Sequence, residues 1–402
     1  MAVLLAFSGG LDTSFCVPYL RERTGKDVVT ATVDTGGLNA AAYEELESRS
    51  AELGAVAHHT IDARQAYFDE LLVYLIMGNV TREGYPLCVG PERMIQAREM
   101  VVLARKTGAS AIAHGSTGAG NDQVRFDVAL RVLAPDLEII TPIRDLGLDR
   151  QQAQKFLADR GLPFPQRDTT YSVNAGLWGT TIGGRETTTS DGVVPDSAYR
   201  MTVPPVDAPD AHRDVVVAFE EGRPVAVDGE RMDGVRLVEH VAEVAGSHGV
   251  GRGIHTGDTI MGIKGRVAYE APAPVVLLEA HAVLEKTVLT GWQRQYKRLL
   301  GDAYGKLLHE AQYLDPVMRD IEAFLRSSQQ RVTGSSTVRL FKGSATGIAC
   351  TSPYSLFRTD LARYGEVNQL WSGRDAEGFS RIASVAPLLA SAAQKSEKIE
   401  TD

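Results

Sequence analysis

The sequence predicts an α/β protein: an N-terminal domain around a parallel β-sheet, a second α+β domain and a C-terminal helical tail. Two observations predict this division. Short apolar runs alternate with segments of helical spacing over the first 165 residues, which is typical of parallel sheets with crossover helices. Beyond them, a hairpin pattern is followed by long helical stretches, which is typical of an α+β arrangement.

The length and composition are those of a multidomain globular protein. The chain has 402 residues, of which 44% are hydrophobic and 23% are charged. This length allows two or three domains with ample cores. We expect domains at 1–165, 166–375 and 376–402, and the proline-containing stretch 162–165 marks the first boundary.

Charge and cysteine content exclude several classes of protein. The net charge of −9 argues against a nucleic-acid partner held mainly through phosphate contacts. Cys16, Cys88 and Cys350 lack the spacing of a zinc site, which favours a reducing compartment. Neither a basic leader nor an apolar run of membrane length is visible. We therefore expect a cytoplasmic protein with no membrane partner and no dedicated metal site.

The elements of the first domain follow in order. Strands are predicted at 3–7, 28–33, 56–61, 109–114 and 138–143. Helices are predicted at 15–20, 43–53, 67–77, 94–106 and 150–160. Three of these helices stop at a glycine, a residue that favours the left-handed conformation of a helix C-terminus, at Gly54, Gly108 and Gly161.

The second half of the sequence has a different pattern, in which strand pairs are separated by long helical stretches. Its predicted strands form a hairpin at 214–219 and 224–227 and a second pair at 337–341 and 346–350. Helical spacing covers 235–244, 275–312 and 317–325, and a glycine-rich stretch lies at 246–257. In the helical region, Trp292, Tyr296, Leu299 and Leu300 are either core residues or a subunit contact. We expect a loosely ordered tail after Ala390.

A tight glycine loop follows the first strand. It reads Ser-Gly-Gly-Leu-Asp-Thr-Ser at 8–14 and leads directly into a helix. Gly9 and Gly10 let the main chain approach a ligand closely, and consecutive N–H groups at a helix start attract phosphate. Asp12 suits such a site if Mg²⁺ bridges it to phosphates, or it caps the helix. The alternative is an ordinary strand-to-helix turn, and the chain has no Walker sequence.

A second glycine loop, at 115–122, follows another buried strand. In parallel sheets, ligands bind beyond the carboxyl ends of the strands, so the two loops are expected to share one ligand. The string Asn-Asp-Gln-Val-Arg-Phe at 121–126 comes directly after this loop. By itself it would also fit a helix start in which Asn121 is the cap and Asp122 pairs with Arg125.

The two loops together resemble a known family. The first resembles the pyrophosphate loop of the N-type ATP pyrophosphatases, which have the adenine nucleotide alpha-hydrolase-like fold. With the second loop, the likeness narrows to the argininosuccinate synthase family, and it extends almost to the end of the chain. Further matches to the family pattern lie at 171–178, 261–270, 353–356 and 374–379.

The resemblance implies a ligase that joins citrulline to aspartate through a citrullyl-adenylate, with release of AMP and pyrophosphate. It implies ATP, with Mg²⁺ on its phosphates, and a homotetramer. The implied catalytic residues are Asp12, Asp122 and Arg125. The implied ATP-binding residues are Ala6, Phe7, Ser8, Gly9, Gly10, Leu11, Asp12, Thr13, Ser14, Val33 and Gly115. Thr117, Asn121 and Asp122 would bind aspartate, and Asn121, Arg125, Ser172, Thr181, Tyr269 and Arg93 would bind citrulline.

Two departures from the family pattern concern the citrulline site. The stretch 86–93 lacks a pair of hydroxyl residues that the family has there, while Arg93 is expected to keep the family's arginine. Gly257 stands where the family has a glutamate that meets the citrulline ammonium. Either Asp258 substitutes for that glutamate, or the substrate is an N-acylated citrulline whose nitrogen carries no charge.

Other functions remain as rivals. GMP, NAD and asparagine synthetases and tRNA-modifying lysidine or thiolation enzymes share the first loop. The chain shows no glutaminase cysteine signature, no paired reactive cysteines and no basic tRNA surface. A non-catalytic ATP-binding paralogue is a rival of another class, and the presence of Asp12, Asp122 and Arg125 argues against it.

Overall fold

The computed structural model describes residues 2–165 and 170–399, except for the side chains of 395–399. The chain forms two compact units, Met1–Tyr354 and Ser355–Asp402. The domain boundary predicted at 165/166 lies at the edge of 166–169, outside the described residues, as do the last three residues of the predicted tail.

The first sheet is parallel, as the sequence predicts. Its five strands are arranged in the order β3-β2-β1-β4-β5. They are β1 (Val3–Ala6), β2 (Val28–Asp34), β3 (Ala57–Asp62), β4 (Ala111–His114) and β5 (Glu138–Ile140). Ala6 pairs with Ala31 on one side and His114 on the other, so the carboxyl ends of the three central strands lie side by side.

Eight helical segments accompany this sheet. They are α1 (Leu11–Thr24), α2 (Ala40–Glu52), α3 (Arg64–Tyr67), α4 (Val73–Gly78), α5 (Glu92–Thr107), α6 (Asn121–Leu133), α7 (Pro142–Leu146) and α8 (Arg150–Ala158). Two predictions need correction. The helix predicted at 67–77 contains a π-helical turn, Phe68–Leu72. The strand predicted at 138–143 ends at Ile140, because Pro142 cannot donate to a sheet but fits the first turn of a helix.

Two antiparallel sheets form the rest of the first unit. Their strand orders are β10-β9-β8-β13-β14 and β11-β12-β7-β6. The strands are β6 (Ser172–Gly176), β7 (Gly179–Gly183), β8 (Arg213–Glu220), β9 (Arg223–Val227), β10 (Glu230–Arg231), β11 (Arg252–Asp258), β12 (Lys264–Glu270), β13 (Gly334–Phe341) and β14 (Ser344–Thr351). Both predicted strand pairs are confirmed. Strand β11 was not predicted, because its glycines lower the strand signal.

Four helices pack with these sheets around the largest core. They are α9 (Gly234–Ser247), α10 (Pro272–Val288), α11 (Gly291–His309) and α12 (Pro316–Gln329). The helical run predicted at 275–312 breaks at Thr290, whose side chain caps α11 together with Gln293. Leu300 packs against the core, whereas Trp292, Tyr296 and Leu299 are exposed.

A close backbone contact joins the third sheet to the first. The Leu177 N–H, in the turn between β6 and β7, donates to the Thr35 carbonyl after β2 at 3.0 Å. Gly36 has a φ of +111°, and a Cβ there would lie 2.3 Å from the Leu177 nitrogen. Trp178 is fully buried beside this contact, and its indole N–H donates to the Pro86 carbonyl at 2.9 Å. Gly36 therefore lets two sheets approach closely.

The second unit contains α13 (Gly373–Ala383) and α14 (Val385–Ile399). Ser372 and Asp375 form a capping box at the start of α13. The prediction of a loosely ordered tail after Ala390 is wrong as far as Ile399, because the alanine-rich sequence there favours helix.

Helices that could span a lipid bilayer were sought throughout the described part of the chain. None there is long and apolar enough to do so.

A buried carboxylate fixes the segment that precedes β8. Glu270 is fully buried, and it accepts hydrogen bonds from the backbone N–H groups of Arg200, Met201 and Thr202 and from the Thr202 hydroxyl, at 2.8–2.9 Å. Arg200 also lines the main cleft of the unit. The position of this segment therefore depends on Glu270.

We expect Glu270→Gln to lower the free energy of unfolding by about 2–4 kcal/mol, because the amide places N–H groups against buried donors. Urea denaturation measures the change. Glu230→Gln, at an exposed site on β10, is the control and should change stability by less than about 0.5 kcal/mol. Equal effects of the two substitutions would contradict the role of Glu270.

Candidate active site

A cleft of about 1070 Å³ opens at the carboxyl ends of β1, β2 and β4. Both glycine loops line it, and β6, β7, β11 and β12 of the third sheet form the facing wall. The predicted site residues in its wall are Ala6, Phe7, Ser8, Gly10, Leu11, Asp12, Thr13, Val33, Arg93, Gly115, Thr117, Asn121, Asp122, Arg125, Ser172 and Thr181. The cleft is large enough for a nucleotide and a second ligand.

Three predicted site residues lie behind this wall. Gly9 has a φ of +69°, and its carbonyl accepts a hydrogen bond from Arg49 at 2.8 Å. Ser14 is fully buried in α1. Tyr269 pairs with Thr181 across the third sheet, and its ring packs against Tyr85 at 5.1 Å. These residues support the wall of the cleft.

The first glycine loop is closed by one hydroxyl group. Thr13 Oγ1 donates to the Gly10 carbonyl at 3.2 Å and accepts from the Ser8 N–H at 3.4 Å. It also lies 3.2 Å from Ser8 Oγ. The hydroxyl of Thr13, one of the ATP-binding residues that the resemblance implies, therefore shapes the loop.

The start of α1 offers donors for an anion. Among the described residues, no side chain caps the Gly10 end of this helix, so its first N–H groups face the cleft without a side-chain acceptor. Burial raises the pKa of Asp12, and Arg150 partly opposes this increase. The loop therefore suits phosphate, together with a cation that would neutralise Asp12.

The two glycine loops lie in contact with each other. A Cβ on Gly115 would lie 3.0 Å from Thr13 Cγ2 and 3.3 Å from the Thr13 nitrogen. A side chain of α6 fixes the second loop, since Gln123 Nε2 donates to the Gly118 carbonyl at 3.2 Å. One ligand can therefore reach both loops.

Beyond the loops, a carboxylate lies between two arginines. Asp122 Oδ2 accepts from Arg93 Nε at 3.0 Å, and Asp122 Oδ1 accepts from Arg125 Nη1 at 2.9 Å. Burial by itself would raise the pKa of Asp122, but the two guanidinium groups lower it to about 2. Asp122 is therefore ionised at any physiological pH, and it holds both arginines in the cleft wall.

His309, at the end of α11, continues this chain of contacts. Its carbonyl accepts from Arg125 Nε and Nη2, both at 3.3 Å, and its Nε2 lies 3.0 Å from Arg82 Nη1. Burial, together with the positive charges of Arg125 and Arg82, lowers the pKa of His309 to about 3. A neutral imidazole therefore joins two arginines.

The wall around Gly257 is cationic or neutral. A Cβ on Gly257 would lie 2.7 Å from His255 Nε2, which has no hydrogen-bond partner among the described residues. The His255 ring stacks on Tyr85 at 4.9 Å, and burial and the nearby Arg82 lower the His255 pKa. Asp258 pairs with Lys264 at 2.7 Å. Asp258, which in one of the two alternatives would replace the family glutamate, is therefore already paired.

Sequence reasoning missed several residues of this wall. Arg82 and Tyr85 lie beside the stretch whose departure from the family pattern was noted, so that departure was a usable signal. His255 and His309 had no local signal, because their role depends on distant contacts. A search of the described residues finds no group of three or more His, Cys, Asp or Glu side chains that could hold a metal ion.

Sequence comparisons assign both halves of the chain. Residues 2–163 match the Arginosuccinate synthase N-terminal HUP domain, and residues 171–389 match the Arginosuccinate synthase C-terminal domain. The chain belongs to the argininosuccinate synthase family. Membership removes the rival synthetase and tRNA-modifying classes.

Relatives named argininosuccinate synthase match over nearly the full length. The protein of Methanocaldococcus jannaschii is 40% identical over 90% of this chain and 91% of its own length. That of Methanopyrus kandleri is 40% identical over 96% and 98%, and that of Symbiobacterium thermophilum is 36% identical over 98% of both. The whole chain therefore has the organisation of argininosuccinate synthases.

We expect His309 to stay neutral from pH 8 down to pH 4, because its lowered pKa keeps protons off the ring. NMR of histidine-labelled protein measures this, and the signal missing from His309→Asn identifies the ring. In urea, the same ring should titrate near its ordinary value of about 6.5. A midpoint above about 6 in the folded protein would contradict the proposed environment.

Proposed function

We propose that this chain joins citrulline to aspartate using ATP, in arginine biosynthesis, with release of AMP and pyrophosphate. The observation that carries the proposal is that the phosphate-binding type of loop and the Asp122–Arg125 pair line one cleft in a full-length member of the family. A non-catalytic paralogue would have no need to keep the two together.

We assign the ends of the cleft to different substrates. Residues 6–14, which include the first glycine loop, would bind ATP together with Val33 and Gly115. Thr117, Asn121 and Asp122 would bind aspartate. The citrulline side would be formed by Asn121, Arg125, Ser172, Thr181 and Arg93, with Tyr269 supporting it. Asp12, Asp122 and Arg125 are the proposed catalytic residues.

The proposed reaction has two displacements. The ureido oxygen of citrulline attacks the α-phosphorus of ATP, the bond to the bridging oxygen breaks, and pyrophosphate leaves. The aspartate amine then attacks the ureido carbon, the carbon–oxygen bond to AMP breaks, and the nitrogen loses its proton. The N–H groups at the start of α1 would stabilise the leaving pyrophosphate, and Arg125 would orient the ureido acid by its carboxylate.

We propose that Mg²⁺ binds together with ATP, on its phosphates. Asp12 lies in the phosphate loop and is half-buried with a raised pKa, which fits a carboxylate that a cation neutralises. The ion would reduce repulsion between Asp12 and the phosphates.

The remaining expectations are proposals as well. Trp292, Tyr296 and Leu299 are exposed at helical spacing on α11, which suits a subunit contact in a homotetramer. We also propose a cytoplasmic location and the domain division at 1–165, 166–375 and 376–402.

Pyrophosphate release should require ATP, citrulline and aspartate together. Arg125→Lys should lower kcat/KM for citrulline about 100-fold, because lysine cannot bind a carboxylate with two parallel hydrogen bonds. Coupled pyrophosphate assays measure both results. Arg131→Lys, at an exposed site on the same helix, is the matched control and should retain activity. Release without a ureido acid, or equal loss in both variants, would argue against the assignment.

A second candidate substrate is an N-acylated citrulline. The observation that favours it is the wall around Gly257, where Arg82 is a cation, His255 and His309 have lowered pKa values and Asp258 is paired with Lys264. Among the described residues, such a wall offers no unpaired carboxylate to an ammonium group, whereas the buried, unpartnered His255 nitrogen could hydrogen-bond to an acyl carbonyl.

Two double variants test this candidate. Both variants carry His255→Ala, and they differ only in having glutamate or glutamine at position 257. The Gly257→Glu variant should have a kcat/KM for free citrulline about 10-fold higher than the Gly257→Gln variant, because only the glutamate carries a charge that can pair with the ammonium group. Wild-type enzyme should prefer N-acetyl- or N-succinylcitrulline to free citrulline. Steady-state kinetics with each ureido acid measure the preference, and a strong wild-type preference for free citrulline would dispose of the candidate.

A further inference from the structure

Glu92 is a buried carboxylate that the proposed reaction does not use. It is the first residue of α5, and only 1% of its surface is exposed. Its neighbour Arg93 lines the cleft, whereas Glu92 lies behind Arg93. Glu92 therefore touches no substrate directly, and its contacts must explain why an acid is buried there.

The contacts of Glu92 leave it incompletely satisfied. Its Oε1 accepts from Arg93 Nη1 at 3.0 Å, but its Oε2 has no hydrogen bond of ordinary geometry among the described residues. The group nearest to supplying one is the Tyr67 hydroxyl, which is also buried without a partner and which lowers the Glu92 pKa against the larger effect of burial. A Cβ on Gly176 would lie only 3.2 Å from Glu92 Oε2. A buried carboxylate oxygen without a donor destabilises the fold. Such a group is a candidate for a functional role.

Arg93 transmits the position of Glu92 to the cleft. Arg93 Nη1 also donates to Gln96 Oε1 at 3.0 Å, and Gln96 Nε2 donates to Thr35 Oγ1 at 3.1 Å. The other side of the guanidinium, Nε, donates to Asp122 at 3.0 Å. Glu92 and Gln96 thus hold one edge of Arg93, while the opposite edge holds Asp122.

We propose that Glu92 is a positioning residue that acts through Arg93 to hold Asp122 in place for the ammonium group of aspartate. This inference rests on the proposed function. In its ionised form, Glu92 fixes Arg93 and leaves the Asp122 carboxylate oriented for aspartate. When Glu92 takes up a proton, Arg93 loses that anchor and aspartate binding weakens.

Among the described titratable groups around Glu92, Glu92 itself is the group that changes charge near neutral pH. Burial, opposed by Arg93, raises the pKa of Glu92 to about 7. Burial also raises the pKa values of Tyr67, Tyr85 and Cys88, which stay neutral.

From α6, Asp122 keeps its charge because its pKa is about 2, and Arg125 is a guanidinium. Arg93 also stays charged, because its carboxylate neighbours outweigh the burial that would lower its pKa. The pKa of Glu92 is higher in the folded chain than in the unfolded one, so its ionisation lowers stability as the pH rises through about 7.

Glu92→Gln tests the proposal. At pH 8, KM for aspartate should rise about 10-fold, while KM for ATP should change less than about 2-fold. Wild-type kcat/KM for aspartate should fall as the pH drops below about 7, and the variant should lack this decline. The variant should also unfold at an equal or higher urea concentration at pH 8, which separates loss of positioning from loss of folding.

Matched variants complete the experiment. Glu99→Gln, which removes a carboxylate paired with Arg98 on the same helix, should behave as wild type. Glu92→Asp keeps the titrating group and should retain the decline at low pH.

An unchanged KM and an unchanged pH profile in Glu92→Gln would overturn the inference and leave the proposed function standing. Absence of pyrophosphate release by the wild type would instead count against the proposed function. In that event, calorimetric binding of aspartate to wild type and Glu92→Gln still decides the inference: equal affinities at pH 8 would refute it.

Discussion

The cleft depends on the ion pairs that Asp122 makes with Arg93 and Arg125. These contacts link the start of α5 to the start of α6, and Arg125 extends them to the last residue of α11. Arg82 then joins His309 to the backbone of β11 through the Asp258 carbonyl. One series of charged contacts thus ties the first sheet's helices to the wall formed by the third sheet. Loss of the central carboxylate would leave Arg93 Nε and Arg125 Nη1 without the acceptor that they now share.

The parts of the fold that depend on local pattern could be predicted. Strand and helix alternation gave the parallel sheet, and the glycine loops after β1 and β4 marked where the cleft opens. Asp122 and Arg125 were found because they stand in one short motif. His309 was not, because its contact with Arg125 spans 184 residues and nothing in the sequence around it signals that contact. His255 was missed for the same reason, whereas Arg82 and Glu92 lie beside or within the stretch 86–93, whose departure from the family pattern was a usable signal.

The errors in secondary structure have physical causes. The fifth strand was predicted too long because Ile143 continues the apolar run, although Pro142 already belongs to a helix. The glycines of β11 weakened its strand signal in the sequence, although pairing with β12 stabilises the strand in the structure. In both places, a single residue's backbone requirement or a distant partner outweighed the local hydrophobic pattern.

The contact between Gly36 and Leu177 has a consequence for the evolution of this architecture. The cleft is formed jointly, with the phosphate loop in one half of the sequence and the wall at β6 and β11 in the other. Recombination that exchanged only one half would have to preserve both Gly36 in the first half and the backbone turn at Leu177 in the second half. The two halves are therefore expected to be inherited together, and a gene fragment encoding either half alone would lack a complete substrate pocket.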